Sequence, residues 1–384
     1  MTRQSANPFR AERLGGFIPF IWYGMRFGDW WKLLASGEFG VTLNRLPNAL
    51  GVTAMAPVSS IVHVLTEAVY RRAAEAIRIE PPVFVLGHWR TGTTLLHNLL
   101  ACDPAAAFPT TFECTFPGRS LLTRHITGRL IWLFLPKNRP MDDVPVGGDL
   151  PFEDEFALAK MGLGTPYRDL AFPRRGAANI RYLDLADLSA EERRKWEEAF
   201  LWLMQRFQLS HPGKRLVLKS PPHTARIATL LKLFPEARFV HIARNPFDVY
   251  PSTYRLWKVL NSRLGLTNPA LDDELLPEQI LSTLPRMYAA YERDSKAIPP
   301  GRLVEVRYEE LVANPKATLA RIYSDLGLGD FAPVLPRIES FLGSVGEHRA
   351  RQHSLSDIDR QAVAGRWSAY FERFGYRDLL SAAP

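Results

Sequence analysis

The chain has 384 residues, 46% of them apolar and 23% charged, which supplies a large core and excludes a wholly disordered protein. A formal charge of +8 favours anionic partners. Two cysteines, Cys102 and Cys114, exclude a disulfide framework or a cysteine zinc cluster, and their sparseness fits a reducing compartment.

Residues 1–80 read as a helical extension. Within it, residues 17–25 are the nearest approach to a bilayer-spanning run, and they are too short. No basic segment with a following cleavage site marks a signal peptide, so the expected location is cytoplasmic. The run continues into Trp30, Trp31 and Lys32, which leaves two readings open: a helix packed on the core, or a peripheral membrane contact. Residues 63–79 carry apolar side chains at helical spacing and are predicted to stop before Pro81 and Pro82.

Residues 82–87 form a short apolar run bounded by Pro82 and Gly87, read as a buried parallel strand. A helix is predicted from about residue 93 to 101. Three more runs, 215–218, 238–242 and 303–307, alternate with helices at 224–233 and 315–326. This alternation predicts an α/β fold of three layers, a central parallel sheet with helices on both faces, spanning 81–384 as one domain. The segment from about 115 to 210 interrupts the sheet and is read as an insertion shaping an acceptor pocket. It includes a helix at 189–209, with Ser189 and Glu192 as a capping box.

Between the first strand and its helix lies Gly87-His88-Trp89-Arg90-Thr91-Gly92-Thr93-Thr94, with the Gly-x4-Gly spacing of a phosphate-binding P-loop. Such a loop turns backbone N–H groups inward, and the helix N-terminus adds the positive end of its dipole. Where an ATP-binding loop carries Lys, this chain has Thr93, and the charge comes from Arg90 inside the loop. The strand at 238–242 runs into Ala243-Arg244-Asn245, basic where a magnesium-binding Asp would stand, so no metal is expected. No motif for nucleic-acid binding is present.

Further along, Lys219-Ser-Pro-Pro-His223 precedes a strand, then Arg244, then Ser252 eight residues later. Tyr308-Glu-Glu-Leu follows the last strand. With the Arg90-Thr91-Gly92-Thr93-Thr94 loop, these blocks resemble the sulfotransferases that use 3′-phosphoadenosine 5′-phosphosulfate (PAPS), in particular a bacterial group related to tyrosylprotein and carbohydrate sulfotransferases. The resemblance covers roughly 82–330. It implies PAPS as co-substrate, held at its 5′ end by the loop, at its 3′-phosphate by Arg244 and Ser252, and at its adenine by Tyr308. It implies transfer of the sulfuryl group to an acceptor hydroxyl or amine by in-line displacement. A magnesium-dependent nucleotide kinase or NTPase is the rival reading.

Sulfuryl transfer needs cations on the developing charge and a base for the acceptor proton. Arg90 and Lys219 are the cationic candidates; the Lys219 to Arg244 spacing is similar to the family's. For the base, Glu113 stands where tyrosylprotein sulfotransferases carry a catalytic Glu, and His223 near where small-molecule sulfotransferases keep a His. The run Glu153-Asp154-Glu155 is a third source. Arg351, between Arg349 and His353, is a candidate late phosphate contact. The aromatic N-terminus and the Trp- and Phe-bearing insertion favour a small or lipid-like hydrophobic acceptor.

Overall fold

The structure, a computed structural model, describes residues 20–124, 148–269, 275–345 and 355–381. In chain order the described elements begin with α1 (Phe27–Ser36), α2 (Leu46–Ala76), β1 (Val83–Leu86), α3 (Thr93–Leu100), β2 (Ala106–Ala107) and α4 (Thr111–Thr115). They continue with α5 (Asp154–Lys160), α6 (Ala190–Ser210), β3 (Arg215–Lys219), α7 (Ile227–Leu233), β4 (Arg238–Ala243) and α8 (Pro246–Leu264). The last third holds α9 (Leu275–Asp294), β5 (Leu303–Arg307), α10 (Tyr308–Ala313), α11 (Pro315–Leu326), α12 (Leu335–Val345) and α13 (Asp357–Arg366).

The strands form one parallel sheet in the order β2-β3-β1-β4-β5. Alternation along each strand sends side chains to two separate cores. Val83, Val85, Val240 and Ile242 pack towards α3 and α11, while Phe84, Leu86, Leu218 and Phe239 pack towards α6 and α9. Both faces are therefore covered, which is why the strands read as continuous apolar runs. The expected α/β fold with a central parallel sheet and helices on both faces is the one observed. Register places Phe84 opposite Leu218 and Phe239, and Val85 opposite Lys219 and Val240, so the carboxyl ends of β1, β3 and β4 share one edge. In parallel α/β sheets that edge is where ligands bind.

Most predicted elements are present, and the differences have physical causes. The edge strand β2 was not anticipated, because its two residues pair with β3 without an apolar run of their own. The helix expected at 63–79 begins at Leu46 and ends at Ala76. Pro47 at its first turn and Pro57 inside it disguise the N-terminal half. Contrary to the expectation that no segment is long and apolar enough to cross a bilayer, the helix at Leu43–Ala76 is, with mean hydropathy 1.6 over an 18-residue window. Only 28% of that window is buried.

Part of the described aromatic N-terminus packs inward, while Phe27 and Trp31 stay exposed. Trp22, Met25 and Trp30 are buried, Trp22 Nε1 donates to Leu264 O at 2.7 Å, and Trp30 Nε1 to Thr53 Oγ1 at 2.8 Å. Cys102 and Cys114 are both free.

Candidate active site

The loop after β1 is built by two glycines and one strained arginine. Gly87 has φ +147° and Gly92 φ +99°, backbone that side chains disfavour, and Arg90 itself adopts φ +70°. A Cβ on Gly92 would meet Tyr308 Cδ2 at 2.4 Å, so glycine is required there for packing as well as for conformation. Thr91 closes the loop from within: its hydroxyl donates to His88 O at 2.8 Å and its N–H to the same carbonyl at 3.3 Å. Thr91 is thus a structural brace, where a phosphate contact was expected. Burial pushes the His88 imidazole down to about 4, which leaves it uncharged at neutral pH. The loop's own positive charge therefore comes from Arg90, in front of the side-chain-uncapped N-terminus of α3, with Thr93 and Thr94 in its first turn.

Two residues from the next βα unit join the loop. Arg90 Nε donates to Ser252 Oγ at 2.9 Å. Arg244, at the end of β4, donates to Arg90 O at 3.3 Å and lies 4.3 Å from the Tyr308 ring centroid. Asp248 sits one helical turn on, at 3.7 Å from the Arg244 guanidinium. Gly92, Arg244 and Tyr308 form a stack, with Tyr308 only 8% exposed. Arg90, Gly92, Arg244, Ser252 and Tyr308 are therefore gathered at one edge of the sheet.

A second cluster adjoins it at the end of β3. Lys219 forms an ion pair with Glu153 and donates to Thr94 Oγ1 at 3.4 Å. Glu153 also accepts from the Tyr167 hydroxyl, which in turn accepts from Trp89 Nε1 at 2.9 Å. A hydrogen-bonded chain thus runs from the phosphate loop through Tyr167 to Glu153 and back through Lys219 to α3. Burial first, and the Glu153 charge second, hold the Tyr167 hydroxyl well above the usual phenol range, so it stays a donor.

The neighbouring acids are claimed by other cations. Asp154 accepts from His223 Nε2 at 2.7 Å and from Ser220 Oγ at 2.9 Å. Glu155 takes a bidentate pair from Arg226 at 2.7 and 2.9 Å. The side chains of both pairs are 0% exposed. Burial pushes the Asp154 carboxyl up, but the His223 charge and the hydrogen bonds outweigh it and leave the group below its ordinary value. Three consecutive carboxylates thus meet Lys219, His223 and Arg226, and the first of these pairs stands beside the phosphate loop.

Glu113, expected as a base, is committed elsewhere. Its carboxylate accepts from Thr110 N and Thr110 Oγ1, both at 2.9 Å, in the capping box that starts α4. It also pairs with His211 at 3.2 Å and is 1% exposed. Burial raises this carboxyl, and His211 with Thr110 more than reverses that. The Thr110-x-x-Glu113 spacing is itself the capping-box signature, a local signal that the sequence already carries. His223, equally, is an internal partner of Asp154. Arg349, Arg351 and His353 lie outside the described residues.

Beside His88 and Trp89 opens a cleft lined mainly by apolar side chains, including Leu170, Ile180, Trp257, Leu276 and Ile280. Leu170 and Ile180 come from the segment between β2 and β3. Asp169 lines the same cleft, its carboxyl pushed by burial up to about 7 despite hydrogen bonds from Asn179. Tyr167, Trp257 and Asp169 carry no local motif, so sequence reading passed over them.

A parallel α/β sheet with an oxyanion loop after its first strand, and further cations at the ends of two neighbouring strands, defines a group-transfer enzyme acting on an anionic donor. Comparison with known proteins specifies which. Residues 81–333 match the sulfotransferase family. The omega-hydroxy-beta-dihydromenaquinone-9 sulfotransferases Stf3 of Mycobacterium bovis and Mycobacterium tuberculosis are 36% identical over 368 residues, covering 96% of this chain and 94% of theirs. Among solved structures, sulfotransferase STF9 of Mycobacterium avium covers 91% of this chain and 96% of its own at TM-score 0.64 and 22% identity. STF1 of Mycobacterium tuberculosis covers 88% and 90% at TM-score 0.61 and 18% identity. These structures share the fold. The chain belongs to the sulfotransferase family, whose general sulfuryl donor is PAPS. The kinase or NTPase reading is thereby set aside.

Proposed function

We propose that this chain binds PAPS across the two clusters and passes its sulfuryl group to the hydroxyl of a hydrophobic, lipid-like acceptor, with Glu153 as the general base. The observation that carries this reading is the Lys219–Glu153 pair, set beside Thr94 at the mouth of the phosphate loop. Arg90, Thr93, Thr94 and the α3 N-terminus suit the 5′ end of the donor, and Arg244 with Ser252 suits the 3′-phosphate. Tyr308 offers an aromatic edge for the adenine.

In the reaction Glu153 takes the acceptor O–H proton, the acceptor oxygen forms the new O–S bond, and the S–O bond to the 5′-phosphate breaks. The products are a sulfate ester and 3′,5′-ADP. Lys219 and Arg90 offset the charge that builds on the bridging oxygen. Lys219 and Tyr167 donate to the two oxygens of the Glu153 carboxylate and fix its orientation. The apolar cleft at Trp89 and Trp257 supports a hydrophobic acceptor. So does the lipid quinol that names the 36% identical mycobacterial relatives.

Thermal shift tests the donor half. 3′,5′-ADP is expected to raise the melting temperature by mass action, and ATP with magnesium to do so far less. Stabilisation by ATP–magnesium alone would sink the proposal. Arg244→Ala is expected to weaken 3′,5′-ADP roughly thirtyfold, the worth of a charge-assisted contact of about 2 kcal/mol. Gly92→Ala drives a methyl into Tyr308 at a positive φ and should raise the same dissociation constant by about tenfold. Unchanged binding in both variants would place the donor elsewhere.

A further inference from the structure

The longest helix of the protein turns an apolar face to solvent. From Leu46 to Thr66, α2 holds no Asp, Glu, Lys or Arg. Along this helix Leu50 is 65% exposed, Ile61 61%, Val64 64%, Leu65 52% and Val69 64%. Next to it, α1 and the turn after it expose a row of three aromatic rings: Phe27 and Trp31 have centroids 5.8 Å apart, and Trp31 and Phe39 5.7 Å. Scattered exposed apolar residues are ordinary, but a continuous face of this length is not.

The opposite face of α2 fixes how such a helix can sit. Val52, Ala56 and Thr66 are buried against the protein. Glu67 takes a hydrogen bond from Arg206 Nε on α6 at 3.1 Å, and the Arg206 side chain is 2% exposed. Crossing a bilayer would strip α2 from α1 and α6 and leave Arg206 buried without its partner, at a cost of several kcal/mol. One face on protein and one face bare suits a helix lying in the plane of a membrane interface.

We infer that α1 and α2 form a docking face for an anionic lipid bilayer, with the bare side of α2 sunk into the boundary between headgroups and acyl chains and the Phe27, Trp31 and Phe39 rings at its edge. Charge selects this occupant over a second copy of the chain. Exposed Lys32, Arg72 and Arg78 flank the apolar face in a molecule of net charge +8. Two copies would bring like charges together, whereas acidic headgroups offset them. The inference stands on this surface and not on the acceptor's identity. A lipid acceptor would be met at the depth where it resides.

The test is co-sedimentation of the full chain with phosphatidylcholine vesicles, with and without phosphatidylglycerol, compared with the double variant Ile61→Glu, Leu65→Glu. Both sites are exposed, and retained stabilisation by 3′,5′-ADP checks that the variant is folded. The wild type is expected to pellet with the acidic vesicles, and the variant to lose about tenfold or more of that binding. A wild type that stays in the supernatant, or a variant that pellets equally, overturns the inference. So does a wild-type dimer in light scattering that the variant splits while wild-type vesicle binding is nil; the face would then belong to a second copy. Loss of vesicle binding with 3′,5′-ADP stabilisation intact leaves the donor assignment untouched, so the two proposals fail separately.

Discussion

Replacing Glu153 by Gln is expected to lower turnover by about 10²- to 10⁴-fold while leaving 3′,5′-ADP binding in place. The amide keeps the shape of the side chain; its single oxygen can still accept from Lys219, while its NH2 takes the place of the oxygen that accepted from the Tyr167 hydroxyl. What it loses is a lone pair basic enough to take the acceptor proton. Single-turnover transfer of labelled sulfuryl from PAPS to a long-chain primary alcohol reads the effect. Glu113→Gln is the matched control: its carboxylate caps α4 and pairs with His211, so it should lower stability and spare the rate. The reverse outcome, with Glu113→Gln slow and Glu153→Gln at wild-type rate, would return the base to Glu113.

The largest loss of stability is expected from Arg226→Met. Arg226 makes two hydrogen bonds to Glu155 and lies 4.7 Å from the Trp196 ring, and both members of the ion pair are 0% exposed. Removing the cation alone strands a buried carboxylate, which costs about 3–5 kcal/mol. For a chain of this size that corresponds to a fall in melting temperature of about 4–6 °C. Adding Glu155→Leu should recover most of the loss, because an apolar pair of similar volume has no charge to desolvate. If the single substitution leaves the melting temperature unchanged, the pair is not buried in solution. Failure of the double variant to recover would mean that Arg226 acts mainly through Tyr182 O, which it also contacts at 3.2 Å.

How much of this was legible in the sequence depends on how local each signal is. Four of the strands announced themselves as short apolar runs, the first of them bounded by Pro82 and Gly87, and the loop by its glycine spacing. Ser189 and Glu192 marked the start of α6, and the capping box forms there as expected. The pair proposed for proton transfer was harder to find, because Lys219 lies 66 positions from Glu153 and nothing in either neighbourhood names the other. The Glu153-Asp154-Glu155 run looked like one acidic cluster. At the start of a helix, successive side chains leave the axis about 100° apart, so the three diverge to three different partners, Lys219, His223 and Arg226. Glu113 and His223 drew attention through their resemblance to reacting residues in other sulfotransferases; their burial, the capping box of Glu113 and the Asp154 partner of His223 are contacts that a resemblance does not carry. The exposed face of α2 was harder to see because the helical spacing was clearest over 63–79, while Pro47 and Pro57 stand in the half of the helix before it.

The three rungs between 153–155 and 219–226 also bear on how this enzyme can change. They rivet the start of α5 to the end of β3 and the turn after it. Chain further into the segment between β2 and β3, where Leu170 and Ile180 line the apolar cleft proposed for the acceptor, lies downstream of that rivet. Substitutions there can reshape the cleft for a different acceptor without shifting the carboxylate relative to the sheet. On the proposed reading the fold separates what is transferred from what receives it, with the donor residues on the sheet edge and the acceptor cleft on a segment anchored to it at 153–155 and again through Tyr167 and Trp89.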